Sequence, residues 1–430
     1  MTKLYYITTS YPYGTGEKPF VKLEIEYFSR IFDLTVVSMA PEKLVNSKAH
    51  ESLLPEKVKL VCCGKRRWLR ELLSVLAFSF TKTGRQENKR IWRSGSKRLG
   101  RLLHCMRDYA WAQSMRLNMK KAGVFDKVGN SIYYTFWFNE IFLACALEKT
   151  KQPSMKLASR IHGYDLYNER TPWHWQPMRE FSIASVNVIV FLTEKAKSYF
   201  ISSFCDEETA RQKVGDFPVC ALGSSPAKGI PTKAGDDVFR IVSCSNAVPL
   251  KRVELIIEAL SLLDDSKIEW IHFGDGPKLE SLKRLASEKG INAIFKGFTQ
   301  NEEILDFYAQ NYVDLFITTS STEGLPVSIQ ESMAFCIPVI GTDVGGISEE
   351  IDGNGTLLPA NPSIKEVAEA ILHIKQLSDK EVASMRNRSQ QLWAEKFDAG
   401  NSLLKMKSLF DRIMDSDQNR ESESEANYER

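Results

Sequence analysis

Two doubly wound α/β domains in series are what this sequence predicts, and three observations predict them. Strand-like runs alternate with helical runs from Leu4 to Phe191, and the same alternation restarts at Phe239. A stretch rich in Gly, Pro, Ser and Lys, Asp216 to Lys233, separates the two patterns as a linker. The chain has 430 residues and 43% hydrophobic composition, enough for two or three buried cores.

The first pattern opens with a βαβ unit. Leu4-Tyr5-Tyr6-Ile7 reads as a strand, Tyr11-Pro12-Tyr13-Gly14-Thr15-Gly16 as a turn, Phe20 to Phe32 as a helix, and Leu34-Thr35-Val36-Val37 as a second strand. A βαβ unit implies a parallel sheet. Further strands are expected at Ile132 to Thr135, Lys156 to Arg160 and Val186 to Phe191. The second pattern predicts strands at Phe239 to Ser243, Ile268 to Phe273, Ala293 to Phe295 and Val313 to Ile317. Helices fall between them, at Val253 to Leu263, Leu279 to Glu288 and Glu302 to Gln310. The polar tail from Asp415 to Arg430 reads as disordered.

Charge is unevenly placed. The whole chain carries +3, which does not suit a nucleic-acid binder. Residues 65–121, however, hold sixteen lysines and arginines against three acids, Glu71, Glu87 and Asp108. Trp68, Leu72, Leu73, Leu76 and Phe80 are interleaved at roughly helical spacing. Such a segment suits either an anionic membrane surface or a pair of solvated helices covering the first domain. Leu72 to Phe80 is too short to span a bilayer, which takes about 20 residues. The eight cysteines form no C-x-x-C pair and no zinc spacing, so they read as reduced thiols of a cytoplasmic protein. Met1 to Ile7 lacks the pattern of a signal peptide.

The most informative stretch runs from Thr318 to Ala334. It follows a buried strand, turns at Glu323-Gly324 and enters a helix through Val327. A helix N-terminus offers free N–H groups and partial positive charge, which suit a diphosphate. Glu323 and Glu331 stand eight residues apart, where one can reach a sugar and the other a ribose. Taken alone, they read rather as a surface acid and a helix acid beside an N-cap.

The residues around them resemble glycosyltransferase family 4, a retaining group with the GT-B fold. The family pattern E-G-x-x-x-x-x-x-E-A-x-A-x-G-x-P-V stands here as Glu323 to Val339, and Gly341 to Glu349 also matches. Cys336 takes the place of the usual glycine, which suggests an ordinary backbone angle there. The resemblance covers nearly the whole chain, strongest from about 240 to 350 and weaker before 130.

That resemblance implies two Rossmann-like domains facing a central cleft. The N-terminal one spans 1–223 and carries the basic insertion at about 65–121. The C-terminal, nucleotide-sugar-binding one spans 224–396, a helix at 397–414 returns to the first domain, and 415–430 is tail. By the same match Glu323 contacts the donor sugar, Glu331 the ribose hydroxyls, and the backbone of Gly324, Leu325, Pro326 and Val327 holds the donor. Lys251, in Ser243 to Val253, resembles the family's phosphate-loop lysine. Where many members carry an Arg five residues earlier this chain has Asn246, so Arg252 is the candidate second cation.

Gly274 and Gly276, in Phe273-Gly274-Asp275-Gly276-Pro277, match a G-x-G-P turn at the nucleotide. Phe298 matches a base-binding loop, with core packing as its alternative. Ser159 to Tyr167 resembles an R-x-H-G-Y-D motif, which places His162 near the anomeric carbon. Asp165 there orders the loop or meets acceptor, and Arg160 pairs locally or meets a phosphate. Gly16 and Glu17 lie on the loop after the first strand, Gly16 as a donor-approach position and Glu17 as acceptor-binding or loop-ordering.

The expected activity is retaining hexosyl transfer from a nucleoside-diphosphate sugar, commonly uridine-linked. The acceptor is a glycan or polyprenyl-diphosphate-linked oligosaccharide of polysaccharide biosynthesis. Neither metal nor other cofactor is expected, since no suitable D-x-D motif stands out. The expected site is the cytoplasm or the inner face of the plasma membrane, with no nucleic-acid partner. A sugar-nucleotide epimerase or a phosphorylase of the same fold is the alternative, and a nucleic-acid-binding protein a distant one.

Overall fold

In the computed structural model the described residues are 1–14, 16–46, 54–213, 217–233, 235 and 237–428. Thr15 and Asp216, named above, lie outside them. The chain divides into two compact units, Met1–Cys220 with Leu403–Arg430, and Ala221–Ser402.

The first unit is built on six parallel strands: β1 (Lys3–Thr8), β2 (Asp33–Ser38), β3 (Lys59–Cys62), β4 (Ser131–Thr135), β5 (Lys156–Arg160) and β6 (Val188–Val190). Their order is β3-β2-β1-β4-β5-β6. Both faces of the sheet are covered, so β4 and β5 are buried along their whole length. The strand pleat puts Tyr5 and Tyr133 on one face, stacked with centroids 5.0 Å apart, and Tyr6 and Tyr134 on the other.

On the Tyr6 face lies the Lys18–Phe28 helix, with a proline in its first turn and Val21, Glu24, Ile25 and Phe28 turned inward. The Ala399–Tyr428 helix closes the same face. Phe410 sits 5.4 Å from the rings of Phe28 and Tyr134 and 6.0 Å from Phe32. The helical backbone runs on to Tyr428, into the 415–430 tail. Glu, Arg, Ala and Gln, all good helix formers, fill much of that tail.

The basic insertion is three helices: Trp68–Phe78, Lys82–Arg93 and Arg98–Lys121. Phe78, Ile91, Cys105 and Tyr109 join them to the main core of the unit. Thr81 caps the second by accepting the Gly84 N–H. Arg116 reaches Glu148 of the Glu140–Lys149 helix at 2.6 Å.

The second unit repeats the plan. Strands β7 (Phe239–Cys244), β8 (Ile268–Phe273), β9 (Ala293–Gly297), β10 (Leu315–Thr318), β11 (Val339–Thr342) and β12 (Gly355–Leu358) run parallel in the order β12-β11-β10-β7-β8-β9. Trp270, fully buried on β8, fills the centre, its indole N–H donated to Ser243 at 3.0 Å.

Two backbone positions here are strained or restricted. Cys336 has φ of +60°, contrary to the ordinary angle expected when cysteine replaced glycine. The left-handed turn that ends the Val327–Ala334 helix is kept, and the thiol side chain bears it while packing inside. Gly274 has φ of +143°, and a Cβ there would lie 1.8 Å from the Ser245 carbonyl oxygen. Gly274→Ala is therefore expected to destabilise this unit by on the order of 2–3 kcal/mol. Gly229→Ala, whose Cβ would meet nothing within 4 Å, is the neutral control, and thermal unfolding compares the two.

In both sheets the strand order reverses beside the first strand of the unit. Loops leave the carboxyl ends of β1 and β4 in opposite directions, and likewise those of β7 and β10, and a crevice forms there in open α/β sheets. Every candidate site residue lies on a loop or helix that follows one of the strands β1, β5, β7, β8, β9 or β10, except Arg160 at the end of β5 itself.

Candidate active site

In the second unit, the β7 loop brings Lys251 to Glu323 on the β10 loop, with Nζ 2.5 Å from Oε1. Ser320 Oγ donates to the same oxygen at 2.6 Å. Both charged side chains keep some contact with solvent, 20% for Lys251 and 12% for Glu323. The pair is thus held in place and still open to a ligand.

Beyond it, Leu325 is buried, and Pro326 precedes the Val327–Ala334 helix without any side-chain cap. The carbonyl of Gly324 accepts the Gly346 N–H at 2.6 Å, which ties this turn to the loop after β11. Uncapped first-turn N–H groups are donors available to an anion.

Glu331 is buried on that helix, and Asn301 Nδ2 donates to its Oε1 at 2.7 Å. Burial pushes its carboxyl up to about 7, against the opposing pull of Asn301. It therefore changes charge near neutrality.

Arg252 does not supply a second free cation. Its Nε donates to the Thr319 carbonyl at 2.7 Å, and the other guanidinium nitrogens donate to Ser320 O, Ala360 O and Asn361 Oδ1 at 2.8, 2.8 and 3.0 Å. It fastens the β10 loop to the segment after β12. Asn246 is exposed. Gly274 and Gly276 let the β8 loop press against the β7 loop, where the Ala247 N–H reaches the Asp275 carbonyl at 2.9 Å. Phe298 is 67% exposed after β9, so core packing, its alternative role, does not apply.

In the first unit, Glu17 is a buried hub. Its Oε2 accepts the backbone N–H of Ser10 at 2.7 Å and of Tyr11 at 3.2 Å. Its Oε1 accepts the N–H of Thr9 at 3.0 Å and the Trp137 indole at 2.7 Å. One carboxylate thus sets the shape of the β1 loop and binds it to the segment after β4, the loop-ordering role. Gly14, whose Cβ would lie 2.2 Å from Ser10 Oγ, is the glycine this loop demands. A Cβ on Gly16 would point into open space.

His162 stands just past β5. Its ring centroid lies 4.6 Å from that of Phe136 and 4.4 Å from that of Trp137. Neither ring nitrogen has a partner among the described residues. Burial, with the positive charge of Arg160 behind it, holds the imidazole well below its usual pKa, so it is neutral. Asp165 sets the loop: its Oδ1 accepts the His162 N–H and its Oδ2 the Phe138 N–H, each at 2.6 Å. Burial pushes its carboxyl up to about 7. Arg179 donates to the Asp165 carbonyl oxygen and, at 3.1 Å, to that of Phe138.

Arg160 is engaged inside the first unit. It is fully buried, with Glu24 Oε1 at 2.5 Å, Tyr134 Oη at 3.1 Å and the Cys220 carbonyl at 2.7 Å. Of its two expected roles, local pairing is the one it has. Trp137, Ser320 and Asn301 were missed from sequence. Trp137 alone carried a signal, as the aromatic that follows the strand beside β1.

Residues 230–392 match the family described as glycosyl transferases group 1. The O-antigen biosynthesis glycosyltransferase WbnH of Escherichia coli is 32% identical over 179 residues, 36% of this chain and 50% of that protein. The amylovoran biosynthesis glycosyltransferase AmsK of Erwinia amylovora is 23% identical over 403 residues, 87% of this chain and 91% of its own. The chain spans about half the length of WbnH, the relative matched at higher identity. Among solved structures, Anabaena Alr3699/HepE in complex with UDP-glucose superposes with a TM-score of 0.67 at 15% identity, covering 96% of this chain and 100% of that one. The fold is that of the GT-B enzymes, two α/β domains each on a six-stranded parallel sheet.

Proposed function

We propose that this protein is a retaining glycosyltransferase of family 4 that moves a hexose from a uridine-diphosphate sugar to a glycan or lipid-linked acceptor in polysaccharide biosynthesis. The observation that carries the reading is the Lys251–Glu323 pair at the β7/β10 crevice, beside an uncapped helix N-terminus.

The donor exchanges one set of partners for another. Lys251 turns from Glu323 to the diphosphate, whose negative charge grows as the glycosidic bond breaks. Glu323, released, accepts hydroxyl protons of the sugar. The N–H groups from Gly324 to Val327 approach the distal phosphate. Glu331 accepts the ribose hydroxyls, and Phe298 offers its exposed face to the base. In the first unit His162 is neutral, and neither of its ring nitrogens has a partner among the described residues. Retention follows if the acceptor enters on the face the diphosphate leaves, its proton passing to the departing phosphate oxygen. Lysine and helix then do the work a metal does elsewhere.

Calorimetry with a panel of nucleotide sugars tests this. One uridine-linked sugar is expected to bind the wild type, EDTA is expected to leave turnover unchanged, and Glu331→Ala is expected to lose the binding. Binding is also expected to strengthen as pH rises from 6 to 8. Glu331 is raised in the free protein, so it is protonated below about 7 and becomes a full double acceptor above it. Glu331→Gln should flatten that slope. Binding by none of the panel would overturn the donor site, and loss of turnover in EDTA restored by magnesium or manganese would overturn metal independence.

A further inference from the structure

The Trp68–Phe78 helix is amphipathic in the wrong sense for a helix on a water-soluble body. Its inward residues include Glu71, ion-paired to Arg66, while Leu69, Leu72, Leu73 and Leu76 face solvent at 57, 50, 66 and 62% exposure. Trp68 at the start of the helix and Phe80 just beyond its end are 71 and 80% exposed. The spacing 69, 72, 73, 76 is one continuous stripe along the helix, and Phe80 follows its end. Burial against the protein does not explain it, since Phe78 alone of the apolar residues on this helix is fully inside.

Charge around the stripe indicates what covers it. Arg70, Lys82, Arg85, Lys89, Arg93 and Lys97 are all exposed and form no ion pair with a described residue. The three acids of the segment are each taken up internally: Glu71 by Arg66, Glu87 by Arg90 and the Trp175 indole, and Asp108 by Arg107 and His104. The exposed side chains of 68–97 therefore include leucines, tryptophans and cations with no described acid paired to them. No described helix is long and apolar enough to cross a bilayer.

We infer that the Trp68–Phe78 helix lies in the plane of an anionic membrane. Its leucines enter the acyl boundary, and the lysines and arginines of 70–97 meet the phosphate headgroups. A second copy of this chain is a poorer occupant, because two such faces would bring like charges together. The inference does not depend on the glycosyltransferase reading, and its readout is independent of turnover.

The test is co-sedimentation of the full chain with vesicles of phosphatidylcholine alone or with about 30% phosphatidylglycerol, a composition chosen to set a surface potential. Binding is expected to the anionic vesicles at low salt and not to the neutral ones. Leu73→Glu with Leu76→Glu is expected to reduce it at least about tenfold, since both apolar burial and charge attraction are lost. Lys82→Glu with Arg85→Glu is expected to weaken binding and its salt dependence while leaving the leucine stripe intact. Because these positions are exposed, an unchanged thermal midpoint shows that the variants fold. No binding of the wild type to anionic vesicles overturns the inference, as does equal binding by the leucine variant. A monomer–dimer equilibrium abolished by the leucine substitutions, without vesicle binding, also overturns it and assigns the face to self-association.

Discussion

Lys251→Ala is expected to lower kcat by roughly 100- to 1,000-fold, the range seen when one preorganised charge partner of a transition state is removed. The argument rests on where the lysine sits. Its ammonium is held 2.5 Å from Glu323, and Ser320 steadies the same carboxylate oxygen, so on the proposed mechanism the cation is already in place when the donor enters. A charge that meets one building up as a bond breaks acts more on the transition state than on the ground state, so KM is expected to move far less than kcat. Glu323→Gln removes the other half of the pair and leaves the lysine in place. If the two act as one unit, the double variant loses less than the product of the single losses. Steady-state kinetics with the donor found by calorimetry measures all three. A loss below tenfold for Lys251→Ala would leave that lysine as an ordinary structural partner of Glu323.

Arg160→Met is expected to destabilise the first unit by about 3–5 kcal/mol, because it strands the buried carboxylate of Glu24. On a unit of this size that is a fall of about 10 °C in unfolding midpoint. Burial pulls the guanidinium pKa down, but Glu24, Tyr134 and Cys220 together outweigh it and raise it, so the arginine stays charged. Glu24 also accepts a hydrogen bond from the Tyr6 hydroxyl at 2.5 Å, so two groups rest on one carboxylate. Adding Glu24→Leu to Arg160→Met removes the stranded charge and should recover part of the loss. The donor KM should be nearly unchanged in whatever fraction remains folded. Calorimetric unfolding gives the first quantity and kinetics the second. A donor KM raised tenfold with normal stability would return Arg160 to the ligand.

That arginine shows where reading a sequence stops. Arg160 lies two residues before His162 in a motif, and a motif suggests a common task. Its partner stands 136 residues earlier on another element, and nothing local announces it. Arg252 failed similarly: beside Lys251 it reads as a spare cation, yet its four acceptors come from the β10 loop and the segment after β12. Cys336 was misread because a replaced glycine suggests a relaxed backbone, whereas helix termination still requires the left-handed angle.

Local pattern was enough elsewhere. Ile268–Phe273 and Leu279–Glu288 were found with their observed bounds, since buried parallel strands and amphipathic helices declare themselves by period. Three strands were not read as strands at all. β3 has partly exposed residues throughout and little alternation, and β11 and β12 are four residues each. The loop-ordering role of Glu17 was legible as one of two options, because a glutamate behind a glycine-bearing turn invites backbone donors. The indole that fixes it was not.

The last helix carries a consequence for how the protein is made. Residues 1–220 leave the ribosome first, yet the Tyr6 face of their sheet lacks Phe410 until nearly two hundred further residues have been translated. The second unit is continuous in sequence, Ala221–Ser402, and can complete its core as soon as it emerges. The first half to be synthesised is thus the last to be finished. Until then Phe28, Phe32 and Tyr134 present an uncovered aromatic surface, so a nascent chain stalled before Leu403 is the form in which this protein most needs a chaperone.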